Sequence, residues 1–167
     1  MSKIIFFDID GTLYDSRIGI PESTVNALNR LIANEHKIVM CTGRSKGMIP
    51  EEYFHMGFDG VILGAGTYVE YEGKILHQEL MTPEEVQTVI DWGKKQKIGI
   101  ILEGEKYGYY DSENTDDYYI AMKNKTEADC KTTLYPLNEA VDVPKWTYHH
   151  MELLKKPEIE EILGHKY

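Results

Sequence analysis

Three short apolar runs in the first half of the chain are separated by more polar segments. They cover residues 4–7, 38–41 and 60–63. Continuous apolar runs of this length are typical of strands buried on both faces, as in a parallel sheet. Residues 21–34 carry apolar positions at helical spacing behind Pro21, which suits a first helical turn. The order strand, helix, strand predicts a right-handed βαβ unit.

The segments around the third run predict a helix and a hairpin. Residues 45–55 are predicted to be helical with Ser45 as the cap, although Pro50 interrupts the pattern. Beyond the third run, residues 68–71 and 74–76 flank a Glu-Gly pair, which favours two antiparallel strands joined by a tight turn.

At Thr82 the pattern changes. Thr82, Pro83 and Glu85 form a capping-box sequence, which predicts a helix that ends near Lys97. Further along, the pattern predicts strands over residues 98–102 and 107–110, a helix over 115–123 and a short terminal helix over 157–163.

These elements predict an α/β fold in two parts. Residues 1–80 form a Rossmann-like parallel-sheet core, called here the core lobe, and residues 81–167 form a second, α+β lobe. A chain of 167 residues is long enough for one core and a modest appended lobe.

Composition narrows the classes of function. The net charge is −10 and no run of Lys and Arg would follow a nucleic acid backbone, so no nucleic acid partner is expected. No apolar run is long enough to span a bilayer, and residues 1–7 lack the pattern of a signal peptide. Cys41 and Cys130 show neither metal-binding spacing nor a disulfide framework. A cytoplasmic protein without a membrane partner is therefore expected.

The segment most informative about chemistry follows the first run. Asp8 and Asp10 lie one residue apart where a buried strand ends, which is where open parallel sheets place their ligands. Two nearby carboxylates repel each other, and a bound cation relieves the repulsion; hard oxygen ligands select Mg²⁺. Gly11 permits a turn and close approach of backbone N–H groups to an anion, and Thr12 adds a hydroxyl. A simple turn with Asp as turn former is the structural alternative.

Four segments resemble a known superfamily. Residues 8–13, preceded by the apolar run, are similar to the first motif of the haloacid dehalogenase superfamily. Residues 39–44 are similar to its second motif in the form of the sugar-phosphatase-like, Cof-type subgroup, and residues 60–63 and 68–74 match that subgroup's third strand and hairpin. The resemblance spans essentially the whole chain and is strongest to residue 80. It implies that the second lobe is the cap of such an enzyme, hereafter the cap lobe.

The resemblance implies roles for single residues. Asp8 would be the nucleophile, Asp10 the general acid and then base, and Thr42 a hydrogen-bond donor to the phosphoryl group. Asp8, through its carboxylate, and Asp10, through its main-chain carbonyl, would also hold Mg²⁺. The expected substrate-binding residues are Gly11, Thr12, Gly43 and Arg44. For Arg44, pairing with substrate and pairing with a surface acid both remain open.

The chain also departs from the superfamily pattern. The lysine and the acidic Gly-Asp loop that complete such sites are expected after the cap, and the chain stops at Tyr167, apparently within it. Asp116, Asp117, Asp142 and the pair Lys155-Lys156 are not convincing replacements. Gly64-Ala65-Gly66 stands where the subgroup usually has Asn-Gly. A core without further strands would leave one sheet edge open, which favours pairing into a homo-oligomer.

Two functions therefore compete. The first is a Mg²⁺-dependent phosphatase that hydrolyses a small phosphorylated metabolite through an aspartyl-phosphate. The second is a catalytically impaired protein that serves as a binding or structural module. A two-component receiver fits poorly, because its acidic pair would be adjacent and its phosphoacceptor would lie on a later strand.

Overall fold

The computed structural model describes residues 1–148 and residue 161. The predicted terminal helix, apart from residue 161, and the pair Lys155-Lys156 lie outside the described residues. The described strands are β1 (Ile4–Phe7), β2 (Lys37–Cys41), β3 (Gly60–Leu63), β4 (Tyr68–Tyr71), β5 (Lys74–Gln78), β6 (Ile100–Glu103), β7 (Gly108–Tyr110), β8 (Leu134–Pro136) and β9 (Lys145–Tyr148). The described α-helices are α1 (Glu22–Ala33), α2 (Glu51–Phe54), α3 (Pro83–Gln96) and α4 (Asp117–Cys130).

The core lobe is built on a five-stranded sheet in the order β1-β2-β3-β4-β5. The first three strands are parallel, and β4 and β5 continue the sheet as an antiparallel hairpin. Ile38 and Met40 in β2 are fully buried, and Leu28 of α1 packs against Ile38. The predicted βαβ unit, third parallel strand and hairpin are therefore confirmed.

The prediction that the first strand is buried on both faces is wrong. β1 pairs only with β2 and forms one edge of the described sheet. Its side chains alternate between half-buried and exposed, and Ile4 and Phe6 are 57% and 59% exposed. An apolar run alone does not show whether a second strand or helix covers its other side.

The prediction of one helix over residues 45–55 is also wrong. A 3₁₀ turn at Lys46–Met48 and the single α-turn of α2 lie on either side of Pro50, which is the extended N-cap residue of α2. Pro lacks an N–H and its ring excludes the residue before it from helical geometry. Ser45 precedes the 3₁₀ turn without a capping hydrogen bond from its side chain.

The cap lobe carries a second sheet in the order β8-β7-β6-β9, with α3 and α4. The predicted capping box of α3 is confirmed: Thr82 Oγ1 accepts from the Glu85 N–H at 3.2 Å, and Glu85 Oε2 accepts from the Thr82 N–H at 2.7 Å. The helix predicted over 115–123 is longer than expected and begins behind Asp116, whose carboxylate accepts from the Tyr119 N–H. The sequence pattern did not predict β8 and β9.

A short core segment joins the two lobes. Met48 packs with Ile101, Tyr119, Cys130 and Leu134 of the cap lobe. In the same segment, the Gly47 N–H donates to the carbonyl oxygen of Gly104 at 3.1 Å. Among the described residues, no helix combines the length and apolar character needed to cross a membrane.

Candidate active site

A cleft of about 300 Å³ lies between the carboxyl ends of β1 and β2 and the cap sheet. Five of the residues predicted from the sequence line it: Asp8, Asp10, Thr42, Gly43 and Arg44. The cap lobe contributes Glu103, Lys145 and Cys130, among others. Strand ends of a parallel sheet are where such a site is expected.

A tight turn after β1 places the two aspartates. Ile9, between them, is fully buried, while Asp8 and Asp10 both line the cleft. The Ile9 carbonyl accepts from the N–H groups of Thr12, Leu13 and Tyr14 at 3.2, 3.0 and 2.8 Å. Burial of Ile9 and these bonds fix the direction of both carboxylates.

Gly11 and Thr12 lie in this turn and do not line the cleft. Gly11 has φ +76°, a left-handed conformation that glycine adopts without strain, as the sequence suggested. Its N–H donates to the Tyr14 carbonyl, and the Thr12 N–H donates to that of Ile9. In this conformation both N–H groups are satisfied within the turn and do not form the anticipated anion cradle.

Arg44 binds Asp10, and not a remote surface acid. Its Nε and Nη2 donate to the two carboxylate oxygens of Asp10 at 2.9 and 2.5 Å. The Arg44 side chain is only 11% exposed, and the Asp10 side chain is 54% exposed. Burial disfavours the charged guanidinium, but the hydrogen bonds to Asp10 and the nearby negative charge together outweigh it, so the pKa of Arg44 lies above its usual value. Arg44 therefore remains a fixed cation beside the proposed acid and base.

Thr42 is buried at the end of β2, where two loops meet. Its Oγ1 accepts from the Arg44 N–H at 3.2 Å, and its carbonyl accepts from the Ala65 N–H at 3.2 Å. Ala65 has φ +58°, in the left-handed region that is strained for alanine. The loop Gly64-Ala65-Gly66, which departs from the subgroup pattern, therefore donates a backbone N–H to Thr42.

The cap lobe brings an ion pair into the cleft. Lys145 Nζ donates to Glu103 Oε1 at 2.9 Å and to the Gly43 carbonyl at 2.8 Å. The second oxygen of Glu103 accepts from the Ser45 N–H at 3.3 Å. The Glu103 side chain is 8% exposed, so its charge is compensated chiefly by these bonds. The pair connects β6 and β9 to the core loop that carries Thr42 and Arg44.

Cys130 lines the same cleft at the end of α4. Burial raises the pKa of its thiol to about 11, against a smaller opposing effect of Arg44. The thiol is therefore protonated at neutral pH and is a poor nucleophile.

Sequence reasoning missed the cap residues of the site. Glu103 is at least 59 positions from each of the predicted core residues, and no motif connects them. The available signal was a charged residue directly after the apolar run 98–102. Such a residue at a strand end is compatible with a site, but only the packing of the cap sheet on the core shows which cleft it enters.

The oxygen donors of the cleft are compatible with a magnesium ion. Mg²⁺ is commonly bound through one or two carboxylates and retains several waters. Asp8 offers a carboxylate at the cleft, whereas the carboxylate of Asp10 is held by Arg44, which leaves Asp10 its main-chain carbonyl. Within residues 1–148 and at 161, no group of three or more His, Cys, Asp or Glu side chains converges as a complete metal site.

Comparisons with known proteins agree with this geometry. The profile of the haloacid dehalogenase-like hydrolases matches residues 5–165. Putative phosphatase YkrA of Bacillus subtilis (strain 168) is 28% identical over 104 residues, which cover 62% of this chain and 40% of the relative.

Two solved structures share the fold. One, described in work on a trigonal-bipyramidal intermediate in a phosphoryl-transfer superfamily, is 26% identical with a TM-score of 0.73, over 94% of this chain and 62% of the other. The second, a subclass IIB sugar phosphatase of the same superfamily, is 24% identical with a TM-score of 0.72, over 96% and 63%. The chain thus spans less than two thirds of each of these proteins. It belongs to the haloacid dehalogenase-like hydrolases.

Proposed function

We propose that this protein is a Mg²⁺-dependent phosphatase that hydrolyses a small phosphorylated metabolite with Asp8 as nucleophile. The observation that carries the proposal is the convergence of Asp8, Asp10 and Thr42 in one cleft between the lobes. Membership of a hydrolase family and the similarity to YkrA, a putative phosphatase, support it. A cleft of about 300 Å³ is of a size for a small ester.

The proposed reaction has two in-line steps. An oxygen of Asp8 attacks phosphorus and forms a P–O bond, the ester P–O bond breaks, and protonated Asp10 gives its proton to the leaving alcohol. A water then attacks the aspartyl-phosphate, loses a proton to Asp10, and releases phosphate and Asp8. Thr42 lies at the end of the neighbouring strand, and the proposed role of its hydroxyl is to donate a hydrogen bond to a phosphoryl oxygen.

Charge is the main barrier to this reaction, because the Asp8 carboxylate and a phosphate dianion repel each other. A magnesium ion held by a carboxylate oxygen of Asp8 and the main-chain carbonyl of Asp10 would offset that repulsion. Arg44, fixed on Asp10, orients the acid and base; its guanidinium also adds positive charge at the cleft.

A second candidate function is that of a binding module without turnover. The paired hydrogen bonds from Arg44 to Asp10 favour it, because both carboxylate oxygens of Asp10 are engaged by the guanidinium and neither is free to pass a proton to a leaving group. Such a protein would bind phosphate in the cleft without transferring it.

An assay of aryl phosphate hydrolysis distinguishes the phosphatase from the binding module. We expect wild-type protein to hydrolyse p-nitrophenyl phosphate in a Mg²⁺-dependent way, and Asp8→Asn to lower kcat by about a thousandfold or more, because the nucleophile is lost. Asp15→Asn is the matched control, since Asp15 lies in the following loop, away from the cleft, and the amide can still accept from the Arg17 N–H. We expect it to retain activity.

Two outcomes would contradict the phosphatase. Equal rates for wild type and Asp8→Asn would assign any hydrolysis to a contaminant or another site. Binding of inorganic phosphate without any hydrolysis by the wild type would favour the binding module.

A further inference from the structure

Carboxylates outnumber cations in the cleft, and one of the cations is already paired. Among the described residues, three carboxylates face it, those of Asp8, Asp10 and Glu103, against two cations, Arg44 and Lys145. The donors of Arg44 are used within the protein. It donates to both oxygens of Asp10 and, through Nη1, to the Asp129 carbonyl at 3.2 Å. A magnesium ion would offset part of this negative charge, and among the described side chains of the cleft Lys145 is the remaining cation that can meet a phosphate ester.

Lys145 has the position that such a role requires. It lies on β9, directly opposite Glu103 of β6 in the antiparallel register, and its side chain is 28% exposed. Its ammonium lies 2.8 Å from the carbonyl oxygen of Gly43, the residue after Thr42. An ammonium has three N–H groups, and two are used by Gly43 and Glu103, so the third is left for an anion in the cleft.

Glu103 holds the ammonium in place. Its carboxylate is nearly buried and is fixed on its other side by the Ser45 N–H. A flexible lysine stem loses less freedom on binding when its ammonium is already anchored at two points. Glu103 is thus a positioning residue that acts through Lys145.

We propose that Lys145 of the cap lobe binds the phosphoryl group of the substrate in this chain, with Glu103 positioning its ammonium. The proposal deepens the proposed function and rests on it for the identity of the ligand as a phosphate ester. It makes the cap lobe a part of the phosphate site, because Lys145 lies on β9.

A purely structural role is the competing explanation, since Lys145 also connects the two lobes. It predicts that replacing Lys145 lowers stability and leaves phosphate affinity unchanged. Lys131 provides a matched control: its ammonium donates to Glu52 at 3.0 Å, again between cap and core, but it does not line this cleft.

The test is the affinity of the full chain for inorganic phosphate, measured by titration calorimetry, beside KM and kcat for p-nitrophenyl phosphate. We expect Lys145→Met to raise Kd and KM about tenfold or more, since a charge-assisted hydrogen bond is lost. Lys145→Arg should recover most of the affinity, and Lys131→Met should bind phosphate as the wild type does. Thermal unfolding of each variant reports on the fold.

Lys145→Met leaves Glu103 buried without its cation, which destabilises a protein. The double variant Glu103→Gln with Lys145→Met removes both charges and retains an acceptor for the Ser45 N–H, so it tests the proposal if the single variant unfolds. We expect the same loss of phosphate affinity from it.

The results distinguish a failure of the proposed role of Lys145 from a failure of the proposed phosphatase activity. Wild-type affinity in a folded variant without Lys145 overturns the role of Lys145, even where hydrolysis is observed. A wild type that binds no inorganic phosphate at millimolar concentration also overturns it. Phosphate affinity that depends on Lys145 in a protein without hydrolytic activity supports the role and contradicts the phosphatase.

Discussion

At the scale of single residues, Arg44 shows how one side chain couples the proposed chemistry to the cap. It holds Asp10 by two hydrogen bonds and reaches the carbonyl oxygen of Asp129 at the end of α4. Any movement of α4 therefore changes the restraint on the proposed acid and base. The ring of Tyr14, with its centroid 5.7 Å from the Arg44 guanidinium carbon, adds a cation–π contact from the turn after β1.

Asp59 carries a pH-dependent part of the stability. Its two oxygens accept from Lys37 Nζ at 2.7 Å and from the Ile38 N–H at 2.9 Å, which joins the start of β2 to the loop before β3. The hydrogen bond from Lys37 lowers the pKa of Asp59 below 3.8, against the effect of burial. Because the folded-state pKa is the lower one, this stabilisation is present above pH 3.8 and is lost as pH falls through the folded-state value.

We therefore expect Asp59→Asn to reduce the free energy of unfolding by about 1 kcal/mol at pH 7. The difference from wild type should shrink as the pH falls below 3.8. Urea unfolding at a series of pH values measures it. Glu72→Gln is the control, because Glu72 meets the same lysine at 3.4 Å with a 60% exposed side chain and should change little. A difference for Asp59→Asn that is constant with pH would show that charge is not its cause.

At the scale of elements, the sequence predicted structure correctly where the contacts that define an element lie within a few residues of the chain. The capping box of α3 is such a case, and so is the hairpin of β4 and β5. The segment 45–55 is not one helix, because Pro50 separates its 3₁₀ turn from the single turn of α2. β1 was correctly located as a strand, but its exposure depends on a neighbour that no local pattern specifies.

The cap of α3 can be tested on its own. Thr82→Ala removes the acceptor for the Glu85 N–H, and we expect the free energy of unfolding to fall by about 1 kcal/mol. Thr88→Ala in the same helix is the matched control, because its hydroxyl only donates to the Glu84 carbonyl within the helix and alanine is the better helix former. Urea denaturation of both variants makes the comparison. Equal losses for the two would contradict a specific capping effect.

At the scale of the whole molecule, the core segment around Gly47 joins the lobes over the cleft. A Cβ at Gly47 would lie 2.5 Å from Lys106 C and Tyr107 N, and 2.8 Å from the Gly104 carbonyl oxygen. All three are backbone atoms of the turn between β6 and β7, so no side-chain rotation relieves the overlap. The close approach of the lobes therefore depends on the absence of a side chain at this position.

Gly47→Ala should consequently reduce the free energy of unfolding by about 2 kcal/mol and separate the cap sheet from the core loop. Gly43→Ala is the stability control, since a Cβ there meets nothing within 4 Å. Thermal unfolding gives the stability, and hydrogen exchange at the Gly47 N–H, which donates to Gly104, reports on the contact. Unchanged stability and exchange in Gly47→Ala would show that the lobes do not meet in this way in solution.

The exposed edge of the core sheet belongs to this scale too. Within the described part of the chain, β1 forms one edge of this sheet and exposes Ile4 and Phe6; an edge of this kind favours pairing with another strand. Self-association itself stays a prediction.

The sequence by itself determined the α/β class, the positions of the core strands along the chain and the turn that follows Asp8 and Asp10. These depend on short-range causes: apolar periodicity, turn residues and a motif within five positions of the chain. It also brought Thr42, Gly43 and Arg44 to the same edge, because parallel neighbouring strands end together.

Only the tertiary structure decided what those residues contact. The pairing of Arg44 with Asp10, the exposure of β1, and the entry of Glu103 and Lys145 into the cleft all join positions far apart in the chain. Such contacts depend on how the cap sheet packs against the core, and packing is a property of the assembled surfaces that no local pattern encodes.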